Sequence, residues 1–341
     1  MKLVILARQT YLDYFRVALI DAAERLGTSV LYVALLPHLD EVQLFRAGKL
    51  YTTHRYKGSF VPVMNEIAAF AANDKLILFH SSAYANAVKI LRLRLRFRAA
   101  TFVFDVFDDY FYDADGVKLL TFKTLDRLYR LVSQATVLLS SDLTTRYPGG
   151  FHLDNASHLA PIASSRDPIS SRVAVMSSFD KRFDGEWLRT LAMLLPEVEF
   201  HLHGWVHHAN SVMAQELENL VEACPNLTYF GAYRNADLAP ILSRYHIGIL
   251  PYREQHPLTR YINPDKIYHY LCAGMEVVST PIPQASKMLE YIHVCREPEA
   301  AAETIRSILG AKLRKNPGDL HTRFNWTVRW HELRTFLETR V

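Results

Sequence analysis

The stretch IGILPYREQHPLTRYINPDKIYHYLCAGMEVVSTPIPQ, residues 247–284, decides how the rest of the chain is read. It opens on a short apolar run at 247–250 and ends on another at 277–279, with a helix expected over 264–273. Pro264 suits a helix's first turn, where a missing N–H costs nothing, and Gly274 suits the position past its end. Two continuous apolar strands joined by a helix form the repeating unit of a parallel sheet covered on both faces. The helix start also has chemical meaning. Its free N–H groups carry partial positive charge and Lys266 adds a full charge in the same turn, a combination that suits a diphosphate. The plainer alternative is that Asn263 only caps the helix and Lys266 is a solvated side chain.

Working outward, the same alternation fills the chain. In the first half, strands are expected at 3–7, 30–35, 76–79, 101–104 and 136–139, with a short one near 157–160. Helices are expected at 62–72, from 83, and at 118–132; an earlier one presents Leu12, Phe15, Leu19, Ala22 and Leu26 on one face before Gly27. Residues 148–171, rich in Pro, Gly, Ser and Asp, read as a linker. A second series follows, with strands at 173–176, 199–202, 227–230 and 247–250. Helices are expected at 184–195, 211–223, 235–244, 284–290 and 299–309. The reading is two α/β domains in tandem.

Composition narrows the function. The chain has 341 residues, half of them hydrophobic and 22% charged, as an ordinary globular protein does. Thirty-nine Lys and Arg against 35 Asp and Glu give a net charge of +4, too mild for a nucleic-acid binder. Three cysteines without a C-x-x-C pair argue against a disulfide framework or a thiolate zinc site, and fit a reducing compartment. The start, MKLVILARQ, has too short an apolar run for a signal peptide, and no segment approaches a membrane span; a cytoplasmic protein is expected. No G-x-G-x-x-G, G-x-x-x-x-G-K-[ST] or G-x-S-x-G occurs among the 13 glycines, which excludes the dinucleotide fingerprint, the P-loop and the hydrolase elbow. Doubly wound domains still take ligands outside the carboxyl ends of their strands, and a nucleotide sugar between the two domains is the ligand expected.

Three elements then carry a resemblance: Asn263-Pro264-Asp265-Lys266, Tyr270-Leu271-Cys272-Ala273-Gly274, and Val277-Val278-Ser279-Thr280. Together they resemble the donor-binding segment of bacterial GT-B glycosyltransferases, and most nearly the exopolysaccharide and teichuronic-acid-type transferases and the xanthan glucuronosyltransferase branch. The likeness extends upstream through NLTYFGAYRNADLAPILSRYHIGILPY and downstream to NWTVRWHELRTFL. It implies a GT-B fold: an acceptor domain over 1–165, a nucleotide-sugar domain over 166–320, a cleft between them, and a helix at 321–341 crossing back. One departure stands out. The retaining branch carries two glutamates flanking this segment, and those positions here are Tyr261 and His269. The spacing of Lys266 and His269 instead matches a nucleotide-contacting lysine and glutamine of the xanthan enzyme's branch, which implies inversion.

Inverting transfer needs a carboxylate to take the acceptor's proton. Asp105, Asp108 and Asp109 follow an apolar strand, at whose carboxyl end ligands sit. The resemblance places the base on Asp108, while the alternative is a loop of solvated, capping acids. His80 ends the strand LILFH and is expected beside the cleft, although such a histidine is more often structural. The donor set implied is Lys266, His269, Asn263 and Pro264, with Tyr252, Tyr233 and Ser178 on loops or strand ends nearby. No cofactor is expected beyond the nucleotide-sugar substrate, a UDP-sugar by resemblance, and no metal. Asp113 and Asp115 spell D-x-D by chance, and His201, His203, His207 and His208 lack an acidic or thiolate partner.

Residues 75–104 carry six basic side chains and no acid before Asp105, concentrated in Lys89, Arg92, Arg94, Arg96 and Arg98. A solvated face explains them equally well. The family likeness implies docking of 89–98 on an anionic membrane surface, at the inner face of the cell membrane, with a lipid-linked or polysaccharide acceptor and no nucleic acid. A same-fold epimerase or hydrolase and a noncatalytic scaffold are the competing readings; the basic stretch disfavours the first and the acidic cluster the second.

Overall fold

The computed structural model describes residues 1–12, 14, 16–81, 87–107, 111, 114–162, 171–206, 211–311 and 316–340. They form two compact units: Met1–Asp154 with Trp326–Val341, and Asn155–Asn325.

The first unit begins β1 (Lys2–Ala7), α1 (Val17–Arg25), β2 (Ser29–Leu36), β3 (Glu41–Arg46), β4 (Lys49–Arg55) and α2 (Val61–Ala71). It continues β5 (Leu76–Ser81), α3 (Ala87–Arg96), β6 (Thr101–Val106), α4 (Gly116–Val132), β7 (Ala135–Leu138) and β8 (Phe151–His152). These strands make one sheet in the order β4-β3-β2-β1-β5-β6-β7-β8. The pairings from β2 to β8 are parallel, while β3 and β4 extend the sheet as an antiparallel hairpin. The apolar runs of β1, β2 and β6 are buried along almost their full length, as strands covered on both faces must be.

The second unit holds β9 (Arg172–Phe179), α5 (Gly185–Leu194), β10 (Glu199–Val206), α6 (Ser211–Ala223), β11 (Leu227–Gly231), α7 (Leu238–Leu242) and β12 (Ile247–Leu250). After these come α8 (Asp265–Cys272), β13 (Glu276–Ser279), α9 (Pro283–Ser286), β14 (Ile292–Val294), α10 (Pro298–Ala311) and α11 (Pro317–Phe324). Its sheet is all parallel, in the order β11-β10-β9-β12-β13-β14. Strand order reverses between β9 and β12, the topological switch point where open α/β sheets take their ligands. The chain then returns to the first unit as α12 (Trp326–Arg340), which packs on α1. Trp330, Leu333 and Leu337 are its buried residues, and Phe336 stacks on Phe151 at 4.4 Å.

Several expectations are corrected. The strand near 157–160 is replaced by β8, and Ser157 makes only an isolated bridge to Asn325. The β3–β4 hairpin and β14 carry no expectation in the sequence reading. Strand β6 runs past Phe104 to Val106, so Asp105 lies inside it. Leu12, read as part of the α1 face, precedes the helix and is exposed. The passage between units falls at 154–155, inside the stretch read as a linker, and residues 155–162 belong to the second unit.

Candidate functional site

Residues 247–279 fold into β12, α8 and β13, and their small and aromatic residues fit one another. A Cβ on Gly248 would stand 2.3 Å from the Tyr270 ring, so glycine on β12 makes room for that tyrosine. The Tyr270 hydroxyl in turn accepts the Met176 N–H at 2.7 Å, tying α8 to β9. Helix α8 ends in a Schellman turn: Met275 N–H donates to the Tyr270 carbonyl at 3.0 Å and Gly274 N–H to that of Leu271 at 2.9 Å. Gly274 has φ +73°, which only glycine adopts cheaply. Thus the Y-L-x-A-G motif sets the angle at which α8 meets the sheet.

The other end of α8 faces the strand ends. Pro264, expected inside the first turn, is the N-cap residue, and its carbonyl accepts the Ile267 N–H at 3.2 Å. The Asn263 side-chain oxygen accepts from the Tyr268 hydroxyl at 2.8 Å, and its carbonyl accepts from Asn155 Nδ2 at 2.6 Å. Asn263 is therefore spent on holding the turn. Lys266 Nζ pairs with Asp265 Oδ1 at 2.8 Å, with the lysine side chain 19% and the aspartate 46% exposed. Burial works against both charges but is outweighed. Lys266 and His269 hold Asp265 well below the usual carboxylate range, and Asp265, Tyr233 and Tyr252 hold Lys266 above the usual lysine range.

His269 is buried rather than presented to solvent. Its Nδ1 meets Ser157 Oγ at 2.9 Å, and its Nε2 lies 3.8 Å from Asp265 Oδ2. Ser157, from the start of the second unit, is thus a member of the site that sequence reading missed; it lies 112 residues from His269 and has no motif around it. Tyr252 is fixed by both neighbouring loops. Its N–H donates to Thr280 Oγ1 at 2.9 Å, that hydroxyl donates to the Tyr252 carbonyl at 2.8 Å, and an antiparallel bridge joins Tyr252 to Phe183. The last letter of V-V-S-T is therefore a clip. Ser178 is exposed near the end of β9, and the register Ile249↔Val175 brings it and Tyr252 to the same end of the sheet. A helix start, a fully charged lysine and two tyrosines converge there, an arrangement suited to the phosphates of a nucleotide.

In the first unit the expected acids separate. Asp108 and Asp109 lie outside the described residues, as do Asp113, His207 and His208. Asp105 is sealed: Arg16 Nη1 donates to its Oδ1 at 2.6 Å, and both side chains are 1% exposed. The Tyr14 hydroxyl also bonds it; burial pushes the Asp105 carboxyl up against the pull of Arg16 and Tyr14. It is a strand-interior ion pair, not a loop acid. His80, expected beside a cleft, is packed in the core, stacked 5.4 Å from Phe104, with Nε2 2.7 Å from Ser133 Oγ. Burial drives its pKa down to about 3. His201 and His203 share the Tyr245 hydroxyl at 3.0 and 2.8 Å, and His201, expected to lack an acidic partner, has its Nε2 3.3 Å from Glu199 Oε2. Asp115 is the N-cap residue of α4.

Among known proteins, no family model matches the chain. A stretch of 142 residues is 28% identical to the "Putative teichuronic acid biosynthesis glycosyltransferase TuaH" of Bacillus subtilis (strain 168), spanning 40% of this chain and 34% of that relative. Solved structures match along the whole chain. HepE of Anabaena, solved with UDP and glucose, superposes with a TM-score of 0.69 at 14% identity, over 99% of both chains. A sucrose-phosphate synthase from Thermosynechococcus elongatus gives 0.67 at 15% identity, over 99% of this chain and 98% of its own. A glycosyltransferase from Rickettsia africae gives 0.65 at 15%, over 99% and 97%. The fold is GT-B.

Within this GT-B chain, the basic stretch does not act as one face. Lys89 Nζ sits 3.7 Å from the centre of the Tyr56 ring. Arg94 donates to the carbonyls of Arg98 and Ala100, both at 3.2 Å. Arg92, Arg96 and Arg98 are exposed. No helix among the described residues is long and apolar enough to cross a membrane.

Proposed function

We propose that this protein is a glycosyltransferase that moves a sugar from a nucleoside-diphosphate donor, a UDP-sugar, to a lipid-linked or polysaccharide acceptor in surface-polysaccharide synthesis. The observation that carries the reading is the start of α8. It stands at the β9/β12 switch point with Lys266 charged, held by Asp265 and flanked by Tyr233 and Tyr252. The likeness to TuaH and to HepE, which was solved with UDP, supports it. In the mechanism proposed, Lys266 and the α8 N–H groups hold the diphosphate and take up the charge that grows on it as the glycosidic bond breaks. Asp108 accepts the acceptor hydroxyl's proton as that oxygen attacks the anomeric carbon from the opposite face, which inverts it. No metal is required, since the leaving charge falls on a cation and a helix start. His269 acts through Asp265 rather than on the nucleotide. Exposed Arg92, Arg96 and Arg98 favour work at the inner face of the cell membrane.

Lys266→Ala should weaken UDP binding roughly ten- to hundredfold, the loss of one charge-assisted contact. Isothermal calorimetry reads this directly, and unchanged affinity removes α8 from the donor site. A noncatalytic scaffold would keep UDP binding and show no sugar release from UDP-sugars with any acceptor. An epimerase or hydrolase would turn over the donor with no acceptor present.

A further inference from the structure

Helix α4 and the turn after β7 enclose an open hollow of about 610 Å³ in the first unit, whose cations the proposed transfer does not use. Lys123, Arg127 and Arg130 of α4 and Arg146 line it, against one carboxylate, Asp126. That carboxylate is buried and accepts from the Tyr147 hydroxyl at 2.7 Å. Two of the cations are held in place by aromatic faces: Arg146 lies 4.8 Å from the Phe111 ring centre, and Arg130 lies 5.6 Å from that of Tyr147. Burial raises the Asp126 carboxyl and both arginines draw it down, so Lys123 and Arg127, exposed on the same helix, are the cations to which a phosphate would add.

The outer face of α4 is mixed in character. At 100° per residue, Val117, Leu120 and Leu131 fall within the same arc of about 140° as Lys123, Arg127 and Arg130. These three apolar side chains are 82%, 66% and 83% exposed. A face that mixes arginine with exposed aliphatic residues suits a surface with phosphate above and hydrocarbon below, not a free phosphate in water.

We propose that the α4 hollow is a phosphate site for anionic phospholipid headgroups, with Val117, Leu120 and Leu131 entering the adjoining acyl region. This deepens the membrane-surface part of the proposed function and rests on it only for the source of the phosphate.

The test is sedimentation with vesicles of phosphatidylcholine containing 30% phosphatidylglycerol, using the full chain. Lys123→Gln with Arg127→Gln, both exposed, should lower partitioning about thirtyfold, at roughly fivefold per cation. A control pair in the second unit, Arg189→Gln with Arg306→Gln, removes the same charge and should change it little. Leu120→Ser with Leu131→Ser should also release the protein, without changing its net charge. Equal losses in the two arginine-containing pairs, or no vesicle binding by the wild type, overturn the proposal. The thermal shift given by UDP is read in every variant: it should be unchanged, so failure at the vesicle leaves the donor reading standing, and loss of the UDP shift in the wild type breaks the donor reading alone.

Discussion

Two cation–carboxylate pairs, one in each unit, are built oppositely. Lys266 and Asp265 are neighbours in sequence at a helix start, and both remain partly open to solvent. Arg16 and Asp105 are 89 residues apart, and both are sealed at 1% exposure. A sealed pair has its attraction strengthened and its charges unavailable to a ligand. An open pair spends less on desolvation and can exchange a carboxylate neighbour for a phosphate. The same chemistry is therefore scaffold in one unit and binding machinery in the other, and exposure decides between them.

The largest effect expected from breaking this contrast is on stability. Arg16→Met leaves the Asp105 carboxylate buried without its cation, and removing one member of such a pair costs about 3–5 kcal/mol. The matching change at the open pair, Asp265→Asn, should cost under about 1 kcal/mol, because both partners can be resolvated. Urea unfolding of the two variants measures the difference. Equal losses would show that exposure does not separate the pairs.

Next comes Asp108→Asn, which preserves shape and removes basicity. If Asp108 is the base, turnover should fall at least about a hundredfold with UDP affinity intact. Asp105→Asn should instead lower stability first. Turnover that survives Asp108→Asn while the folded Asp105→Asn protein is dead would move the base. Retention at the anomeric carbon, read by NMR, would end the single-displacement scheme.

This contrast also marks what the sequence could and could not disclose. The central strands of both sheets are legible because burial on both faces leaves continuous apolar runs, as in LVILA and IGIL, whereas the short edge strands β8 and β14 are not. The α8 site was legible because its parts are local: Pro264, Lys266 and Gly274 all act within one helix. The hairpin β3–β4 was not, since β3 alternates buried and half-exposed residues and lacks such a run. Asp105 misled for a related reason. A charge ends an apolar run on paper, but in the fold Arg16, far away in sequence, lets the strand continue through it. Ser157 behind His269 was hidden in the same way. Local motifs report on themselves, while a buried polar residue can be understood only with its distant partner.

The smallest effect, and the one that isolates the sealed region, is a pH dependence at His80. Burial between Phe104, Tyr129 and Ser133 holds its pKa at about 3, against an ordinary value of 6.5. Below pH 6.5 the unfolded chain gains a proton on this residue that the folded chain refuses until near pH 3. The stability His80 confers is thus complete above 6.5 and is lost as pH falls through that window, by about 1.4 kcal/mol per pH unit. From pH 6.5 to 5 this amounts to about 2 kcal/mol. His80→Gln keeps a hydrogen-bonding group for Ser133 and has no proton to gain, so its stability should fall less over the same interval by about that amount. His203, held at about 4 by burial and by His201 and Arg244, acts in the same direction from the second unit and is unaffected by the change. Comparing wild type with His80→Gln therefore subtracts it. Urea midpoints at pH 6.5 and 5.0 supply the four numbers needed, and parallel losses in the two proteins would mean that His80 protonates in the folded chain and is not sealed at all.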